Sequence, residues 1–339
     1  MKYFLYIIVL TSLFSCKSDK KITEVKKLSD YKNTQFIPTL ENKISNDKNS
    51  IYCATLLFAW DEIRKEINSP LTISSKYTEL NLLNSSTSFS DVLKNNEYES
   101  SIEIDENLII AKAEFSKSLP FDFKLQSYTN KLVFDNQKVT SFGVNGYDDY
   151  EKLKTVKIIY YKNDNNFIIK LLPKEREHEI ILFKTSESFN SIAEMTTEIK
   201  KLTEIGISEI KNDKINWKYY INEEDELIIP KFNFNIETNY TSLEGNNFNA
   251  EKQNYIIEKA LQRTAFKLDE SGAIIESEAE IEVAAVEEIE EIEKPKPKKM
   301  IFDKPFLILL KRKDANNGFC PCFLRYLLSR WKAIYERRC

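Results

Sequence analysis

The segments LQRTAFKLDESG (residues 261–272) and FDKPFLILL (residues 302–310) decide the fold that this sequence predicts. Each reads as a buried strand, and a long acidic run followed by a Lys/Pro spacer joins them. Every second residue from Ala273 to Val283 is small or apolar, and four of the positions between them are glutamates. An extended chain here therefore has one apolar and one acidic face. Such a segment can add to a sheet with its apolar face buried and its acidic face in water.

This layout resembles the reactive loop of the serpin family. Glu270-Ser271-Gly272 matches the acidic-x-Gly hinge at the start of that loop, and Asp303-Lys304-Pro305-Phe306-Leu307 matches the buried strand that follows it. Three further segments match serpin strands in the same order along the chain, namely residues 108–121, 156–174 and 226–240. The resemblance implies a serpin-like α+β fold. It would have large mixed or antiparallel β-sheets, a few N-terminal helices and an exposed reactive loop at residues 272–300.

The resemblance assigns the hinge of this loop to residues at its start: Glu270, Gly272, Ala273, Ile275, Ser277 and Ala279. Serpins that inhibit proteases have small residues here, because the loop must insert before the acyl-enzyme is hydrolysed. Ile274 and Ile275 are bulky, although burial of Ile275 would contribute about 1.5–3 kcal/mol. Slow insertion would turn the protein into a substrate, so this hinge favours impaired inhibition. Gln262 stands where the family has the histidine of the shutter, the region where the sheet opens.

The family spacing places the scissile bond in two different ways. Counting forward from Gly272 gives Val286-Glu287, where the preceding alanines suit elastase-like proteases. Counting back from Pro305 gives a bond near Lys294, which precedes a proline, so trypsin-like proteases would cut it poorly. Apolar residues beyond Val283 also recur at helical spacing. A solvated acidic linker is the remaining interpretation of this segment.

The N-terminus reads as a bacterial lipoprotein signal peptide. Lys2 supplies positive charge, a short apolar core follows, and Leu13-Phe14-Ser15-Cys16 resembles a lipoprotein box in which Cys16 is acylated. The apolar core is too short to span a bilayer, whereas acyl chains on Cys16 would anchor the protein firmly. The alternative is a secretory signal peptide with a chance cysteine.

Both ends of the serpin-like region depart from the family. Room for only two or three helices precedes Leu108, so the N-terminal half is shortened. After Asn317 the expected last strand is replaced by Cys320-Pro321-Cys322, too sparse for a metal site, and by a basic stretch. That ending is interpreted either as frameshifted or replaced, or as an amphipathic helix on anionic lipid. The predicted organisation is a signal peptide at 1–16, a polar tether at 17–49, a serpin-like domain at 50–317 and an atypical basic tail at 318–339.

The composition excludes several classes of function. The 339 residues are 42% hydrophobic and 30% charged, which suits one large globular domain or two modest ones. A net charge of −4 gives no electrostatic case for nucleic-acid binding. The sole histidine, His178, lies among charged residues that predict an exposed turn, so no Ser-His-Asp triad is possible. Five cysteines without a CxxC pair predict neither a disulfide framework nor a zinc site.

Two functions from different classes fit these features. The first is a serpin-like inhibitor that traps an elastase-like or subtilisin-like serine protease by inserting residues 273–283 into its sheet. The second is a non-inhibitory serpin-fold lipoprotein with a binding or structural role. In both cases we expect a monomer held in the bacterial cell envelope by its N-terminal lipid, facing the periplasm or the outside. We expect no enzymatic activity, no cofactor, no metal ion and no nucleic-acid partner.

Overall fold

The computed structural model describes residues 24–105, 108–251, 253–273 and 296–326. Several predictions concern residues outside these ranges. They are those for the signal peptide and its Cys16, for the loop positions Ile275, Ser277 and Ala279, and for the Val286-Glu287 bond.

Helices are few in the described ranges and strands are many, so the predicted α+β class is confirmed. The helices are α1 (Thr55–Ile67), α2 (Thr78–Ser85), α3 (Tyr150–Leu153) and α4 (Ile192–Glu209). The strands up to α3 are β1 (Lys26–Lys27), β2 (Thr34–Phe36), β3 (Asn49–Ile51), β4 (Leu71–Ile73), β5 (Glu99–Asp105), β6 (Leu108–Glu114), β7 (Leu119–Pro120), β8 (Gln126–Phe134) and β9 (Gln137–Asn145). Those after it are β10 (Val156–Asn163), β11 (Asn166–Leu171), β12 (His178–Lys184), β13 (Glu226–Pro230), β14 (Phe232–Asn239), β15 (Asn247–Ala250), β16 (Gln253–Ile256), β17 (Leu261–Leu268), β18 (Gly272–Ala273), β19 (Lys299–Ile301), β20 (Phe306–Arg312) and β21 (Cys322–Leu324).

The largest sheet has the strand order β10-β11-β12-β20-β21-β3-β2 in the described part of the chain. Its centre is the antiparallel pair β12–β20, in which His178 lies opposite Arg312 and Lys184 opposite Phe306. All seven residues of β12 are buried. Four consecutive residues within β12 and the first five of β20 are continuous apolar runs, as expected for strands covered on both faces. A second sheet, β19-β13-β9-β8, carries the strand to which the chain returns after the loop.

The predicted polar tether at 17–49 is wrong for the part that the structure describes. Residues 24–49 contain β1, β2 and the first residue of β3, and four of their apolar side chains are buried in the core: Phe36, Ile37, Leu40 and Ile44. Because most residues between them are polar, the segment was predicted to be a tether. Thr39 and Asn42, for example, are buried but satisfy each other, since the Thr39 hydroxyl donates to Asn42 Oδ1 over 2.9 Å.

The boundary predicted between Asn317 and Gly318 also falls inside the fold. Strand β21 pairs with β20 on one side and with β3 on the other, and all three of its residues are buried. The expected last strand is therefore present, although its sequence is Cys-Phe-Leu. Only residues 327–339 of the predicted basic tail lie outside the described ranges.

His178 is buried and not in an exposed turn, because it begins the central strand β12. Only 2% of its surface is exposed. Its Nε2 atom lies 3.1 Å from Oε1 of Glu97, and its ring packs edge-on against Phe319 with the ring centroids 6.0 Å apart. Both partners come from distant parts of the chain, so the charged neighbours of His178 in the sequence misled the prediction.

A third sheet, β1-β14-β17, and the separate hairpin β5–β6 both lie against helix α1. Side chains of β17 alternate between exposed and buried along the strand. Helix α1 packs with Leu57, Phe58 and Trp60 buried, and it ends at Asn68 in the left-handed conformation. In the described ranges, no helix is both long and apolar enough to cross a membrane.

Candidate functional site

The hinge begins where β17 ends, at a tight reversal of the chain. Asp269 and Gly272 form an antiparallel bridge. The Asp269 N–H donates to the Gly272 carbonyl over 3.2 Å, and the Gly272 N–H donates to the Asp269 carbonyl over 3.1 Å. The Ser271 N–H is satisfied by Oδ1 of Asp269 at 2.9 Å. Residues 272–273 therefore run antiparallel to the end of the strand that precedes them.

On its other side the hinge pairs with the segment that follows β6. Gly272 lies opposite Pro120 and Ala273 opposite Leu119, in an antiparallel register. The Phe121 N–H donates to the Ser271 carbonyl over 3.0 Å. The two residues of β18 thus lie between the end of β17 and β7, as the first residues of a strand would if it were added between them.

Gly272 is required by the geometry of this position. Its φ angle is +111°, in the region that favours glycine. A Cβ atom here would lie 2.4 Å from the Leu119 carbonyl oxygen and 2.7 Å from the Phe121 nitrogen. Both are backbone atoms in the paired segment, so a side chain would force the hinge away from β7.

An ion pair and a backbone hydrogen bond fix Glu270, the charged residue of the hinge. The Glu270 carboxylate lies 2.5 Å from Nζ of Lys231, which also donates to the Ser127 hydroxyl over 2.8 Å. The Glu270 carbonyl accepts from the Leu125 N–H over 2.9 Å. The acidic residue of the predicted Glu-x-Gly motif is thereby tied to the connections after β7 and β13.

Next to the hinge, β17 and β6 each have one edge without a partner strand in the described part of the chain. Strand β17 pairs only with β14, and β6 pairs only with β5. Helix α1 contacts both β6 and β17. The unpaired N–H and C=O groups of such an edge can accept a further strand. The hinge residues 272–273 stand at the end of β17 at which that strand would start.

Gln262, the predicted shutter residue, lies at the opposite end of β17 and joins it to helix α1. Only 4% of its surface is exposed. Its Nε2 donates to the Cys53 carbonyl over 3.0 Å and to the Thr55 hydroxyl over 2.6 Å. Its Oε1 accepts from the Tyr240 hydroxyl over 2.6 Å. Burial raises the pKa of Tyr240 well above its usual value, so this hydroxyl stays protonated and available as a donor.

The chain is fixed again where it returns from the loop. The Lys298 ammonium lies 2.6 Å from Oδ2 of Asp225, and the Lys298 N–H donates to Oδ1 of the same carboxylate over 2.6 Å. Burial lowers the pKa of Lys298, and the Asp225 carboxylate opposes that shift. Lys298 also donates to the Trp217 carbonyl over 3.2 Å. These contacts lock the residue directly before β19, which adds in parallel to β13.

The aspartate of the matched Asp-x-Pro-Phe-Leu segment has a structural partner. Oδ1 of Asp303 lies 2.6 Å from Nζ of Lys184, whose side chain is only 3% exposed. The Lys184 ammonium also donates to the Ile301 carbonyl over 2.6 Å. Asp303 therefore holds the turn between β19 and β20 against the end of β12.

Of the predicted site residues, Glu270, Gly272 and Ala273 come together at the hinge, while Gln262 lies at the far end of the same strand. Asp225 and Lys298 were not predicted, since two isolated charges far apart in the sequence carry no local signal. Across residues 24–105, 108–251, 253–273 and 296–326, no three ligand-type side chains are grouped so that they would hold a metal ion.

This chain is similar to several solved structures. Neither the protein-family models nor the curated proteins include a match. A serpin from the trematode Schistosoma haematobium is 10% identical, with 82% of this chain and 94% of that chain covered and a TM-score of 0.46. The thermophilic serpin tengpin in its native state is 14% identical, with 75% and 64% covered and a TM-score of 0.37. Serpin-12 of Manduca sexta is 11% identical, with 61% and 53% covered and a TM-score of 0.36. The solved structures to which this chain is similar are serpins, the family that its hinge and its Asp-x-Pro-Phe-Leu segment resemble.

Proposed function

We propose that this protein is a serpin-like inhibitor of serine proteases. The segment between Ala273 and Lys296 serves as bait. A protease attacks a carbonyl carbon of the bait and forms an acyl-enzyme, while the new amino end of the loop departs. Residues 273–283 then add to the sheet as a strand and carry the acylated protease with them before water hydrolyses the ester.

The position of the hinge is the observation that supports this proposal. Gly272 and Ala273 are hydrogen-bonded between the end of β17 and β7, and the edges of β17 and β6 are open beyond them. Insertion would extend this two-residue strand along both edges and satisfy their backbone groups. The alternating sequence from Ala273 to Val283 would then direct small and apolar side chains towards helix α1.

A non-inhibitory serpin-fold protein with a binding or structural role is the second candidate. Two observations favour it. Gln262 ties the far end of β17 to the N-terminus of α1 through buried hydrogen bonds, which resist the opening of the sheet. Ile274 and Ile275 are bulkier than rapid insertion requires. A loop that inserts slowly is cleaved and released, so the protein would be a substrate.

Incubation of the full chain with an elastase-like and a subtilisin-like protease tests the proposal. We expect a covalent complex that survives SDS. Ala273 is only 6% exposed, so Ala273→Arg should block insertion and give cleavage without a complex. Ser188→Arg, which introduces the same side chain at an exposed position, is the control and should behave as the original protein. Cleavage without complex in the unmodified protein would favour the second candidate for those proteases.

We also propose that acylated Cys16 holds the protein in the cell envelope. The supporting observation is the charged, apolar and Cys-terminated order of residues 1–16. Production of the full chain in a bacterium fed with a labelled fatty acid should place the label and the protein in the membrane fraction. Cys16→Ser should remove the label. A labelled Cys16→Ser protein, or an unlabelled original protein, would contradict this assignment.

A further inference from the structure

We propose that Cys53 and Cys320 form a disulfide bond across two antiparallel segments when the chain folds under oxidising conditions. Cys53 lies between β3 and α1, and Cys320 lies just before β21. The two segments continue the antiparallel pairing of β3 with β21, in which Ile51 lies opposite Cys322 and Ser50 opposite Phe323. Extending the same register by two residues places Cys53 directly opposite Cys320.

Backbone hydrogen bonds on both sides of this pair confirm the register. The Tyr52 N–H donates to the Pro321 carbonyl over 3.1 Å, and the Ala54 N–H donates to the Phe319 carbonyl over 3.0 Å. Cys53 and Cys320 are thus the non-hydrogen-bonded pair between two bonded positions. Side chains in such a pair lie on the same face of the sheet and come closest together, with Cα atoms about 4.5 Å apart. A disulfide requires a Cα separation of about 4.4–6.8 Å.

The register also selects between the two possible partners of Cys53. Cys322 lies on the same face as Cys320, but it is opposite Ile51 and hence diagonal to Cys53. Diagonal neighbours are about 7–8 Å apart, which exceeds the reach of a disulfide without backbone movement. Cys320 is the partner that needs no such movement.

Burial determines when the bond forms. Cys53 and Cys320 are 4% and 5% exposed. The hydrogen bond to the Cys320 thiol and burial raise the pKa of Cys53, while contact with the Cys322 thiol and burial raise the pKa of Cys320. Protonated, buried thiols are poor nucleophiles. Oxidation therefore takes place during folding, before the two thiols are buried, and the finished bond is shielded from reductants.

The chemistry is thiol–disulfide exchange with a small oxidised disulfide such as oxidised glutathione. One thiolate attacks a sulfur of that disulfide and releases one reduced thiol. The second cysteine then displaces the other half as a second thiol. Two protons and two electrons leave the cysteine pair, and the oxidant gains them. The disulfide would tie Cys53 to the segment just before β21 in the largest sheet. The Cys53 carbonyl is also the acceptor of the Gln262 hydrogen bond.

Peptide mapping of the full chain tests this inference. The protein is unfolded and then refolded with oxidised or with excess reduced glutathione, after which free thiols are alkylated and trypsin is added. Cleavage at Lys and Arg yields peptide 49–64 with Cys53 and peptide 314–325 with Cys320 and Cys322. We expect the two peptides to be linked only in the oxidised sample, with fragmentation assigning the link to Cys320.

The cysteine variants provide a second measurement. Cys322→Ser should retain the linked peptides, whereas Cys320→Ser and Cys53→Ser should lose them. Circular dichroism checks whether each variant folds. If a variant does not fold, the peptide mapping of the unmodified protein still tests the inference. The inference is overturned by alkylation of all three cysteines in the oxidised protein, by a loop within peptide 314–325, or by links from Cys53 to Cys322, Cys16 or Cys339.

Discussion

The Lys298 ammonium lies 2.6 Å from the Asp225 carboxylate, and only 1% of each side chain is exposed. This pair stands where the chain re-enters the fold after the loop, at the opposite end of the loop from the Gly272 hinge. A buried pair of this kind contributes little net stability when intact, but removal of one partner leaves an uncompensated charge. The pair therefore makes release of β19 from β13 costly.

Lys298→Met should lower the free energy of unfolding by about 3–5 kcal/mol, because Asp225 would remain buried without its counter-ion. Unfolding in urea, followed by circular dichroism, measures the change. Lys299→Met is the matched control at the next residue, where the side chain is 50% exposed. It should lower the free energy of unfolding by less than about 1 kcal/mol. Equal effects of the two substitutions would show that the buried pair does not fix this end of the loop.

Gly272→Ala should destabilise the hinge by about 3 kcal/mol, because the added Cβ meets two backbone atoms at a positive φ angle. Gly245→Ala is the matched control: its φ is +79°, but nothing lies within 4 Å of a Cβ there. That control should cost only about 1 kcal/mol, for backbone strain alone. Urea unfolding of both variants gives the comparison. A Gly272→Ala effect no larger than that of Gly245→Ala would contradict the steric role.

The hinge and the strands around it could be predicted from the sequence because their signals are local. An acidic-x-Gly motif after a buried strand marks the reversal at Gly272, and the apolar run after Pro305 marks β20. The contacts that complete the site are not local. Asp225 meets Lys298, and Glu97 meets His178, only after distant segments have packed, so no spacing in the sequence predicts either pair.

The N-terminal segment and the last strand were mispredicted for a related reason. Phe36, Ile37, Leu40 and Ile44 stand in a segment that is otherwise mostly polar, and polar composition predicted a tether, yet each of the four is buried in the core. The last strand has an unfamiliar sequence, and the proline between Cys320 and Cys322 is a residue that sheets rarely accept. In the fold, Pro321 is tolerated because only its carbonyl is used, as the acceptor for the Tyr52 N–H.

His178 predicts a loss of stability in weak acid. Burial lowers its pKa, and the nearby Lys117 acts in the same direction, whereas Glu97, Glu177 and Glu175 oppose the shift. Because the folded pKa lies below the unfolded value of about 6.5, the unfolded chain takes up a proton first as the pH falls. The stability contribution is complete above about pH 6.5 and decreases as the pH falls from there towards the folded pKa.

Urea-unfolding midpoints at about pH 7.5 and about pH 5.5 measure this effect, and both lie above the usual carboxylate range. The unmodified protein should unfold at lower urea at the lower pH, and His178→Gln should lose most of that difference. Glu97 titrates in a different pH range. Burial raises its pKa, but the hydrogen bonds from Lys117 and from the Lys94 N–H, together with the nearby positive charges, lower it below its usual value. Its contribution is lost only at more acidic pH. An unchanged pH dependence in His178→Gln would contradict the assignment to this histidine.

Cleavage of the loop should raise the melting temperature of the protein. Insertion of residues 273–283 would satisfy the open edges of β17 and β6 and would bury apolar side chains, and cleavage removes the connection that prevents it. The measurement compares thermal unfolding before and after limited proteolysis between residues 274 and 295. Ala273→Arg should be cleaved without the rise, because a charged side chain cannot enter the buried hinge position beside Leu119. The change in melting temperature does not depend on how fast insertion occurs, so it separates the ability to insert from the ability to inhibit.

A rise in melting temperature without a protease complex would identify a loop that inserts too slowly to trap a protease. An unchanged melting temperature would show that the loop does not insert at all.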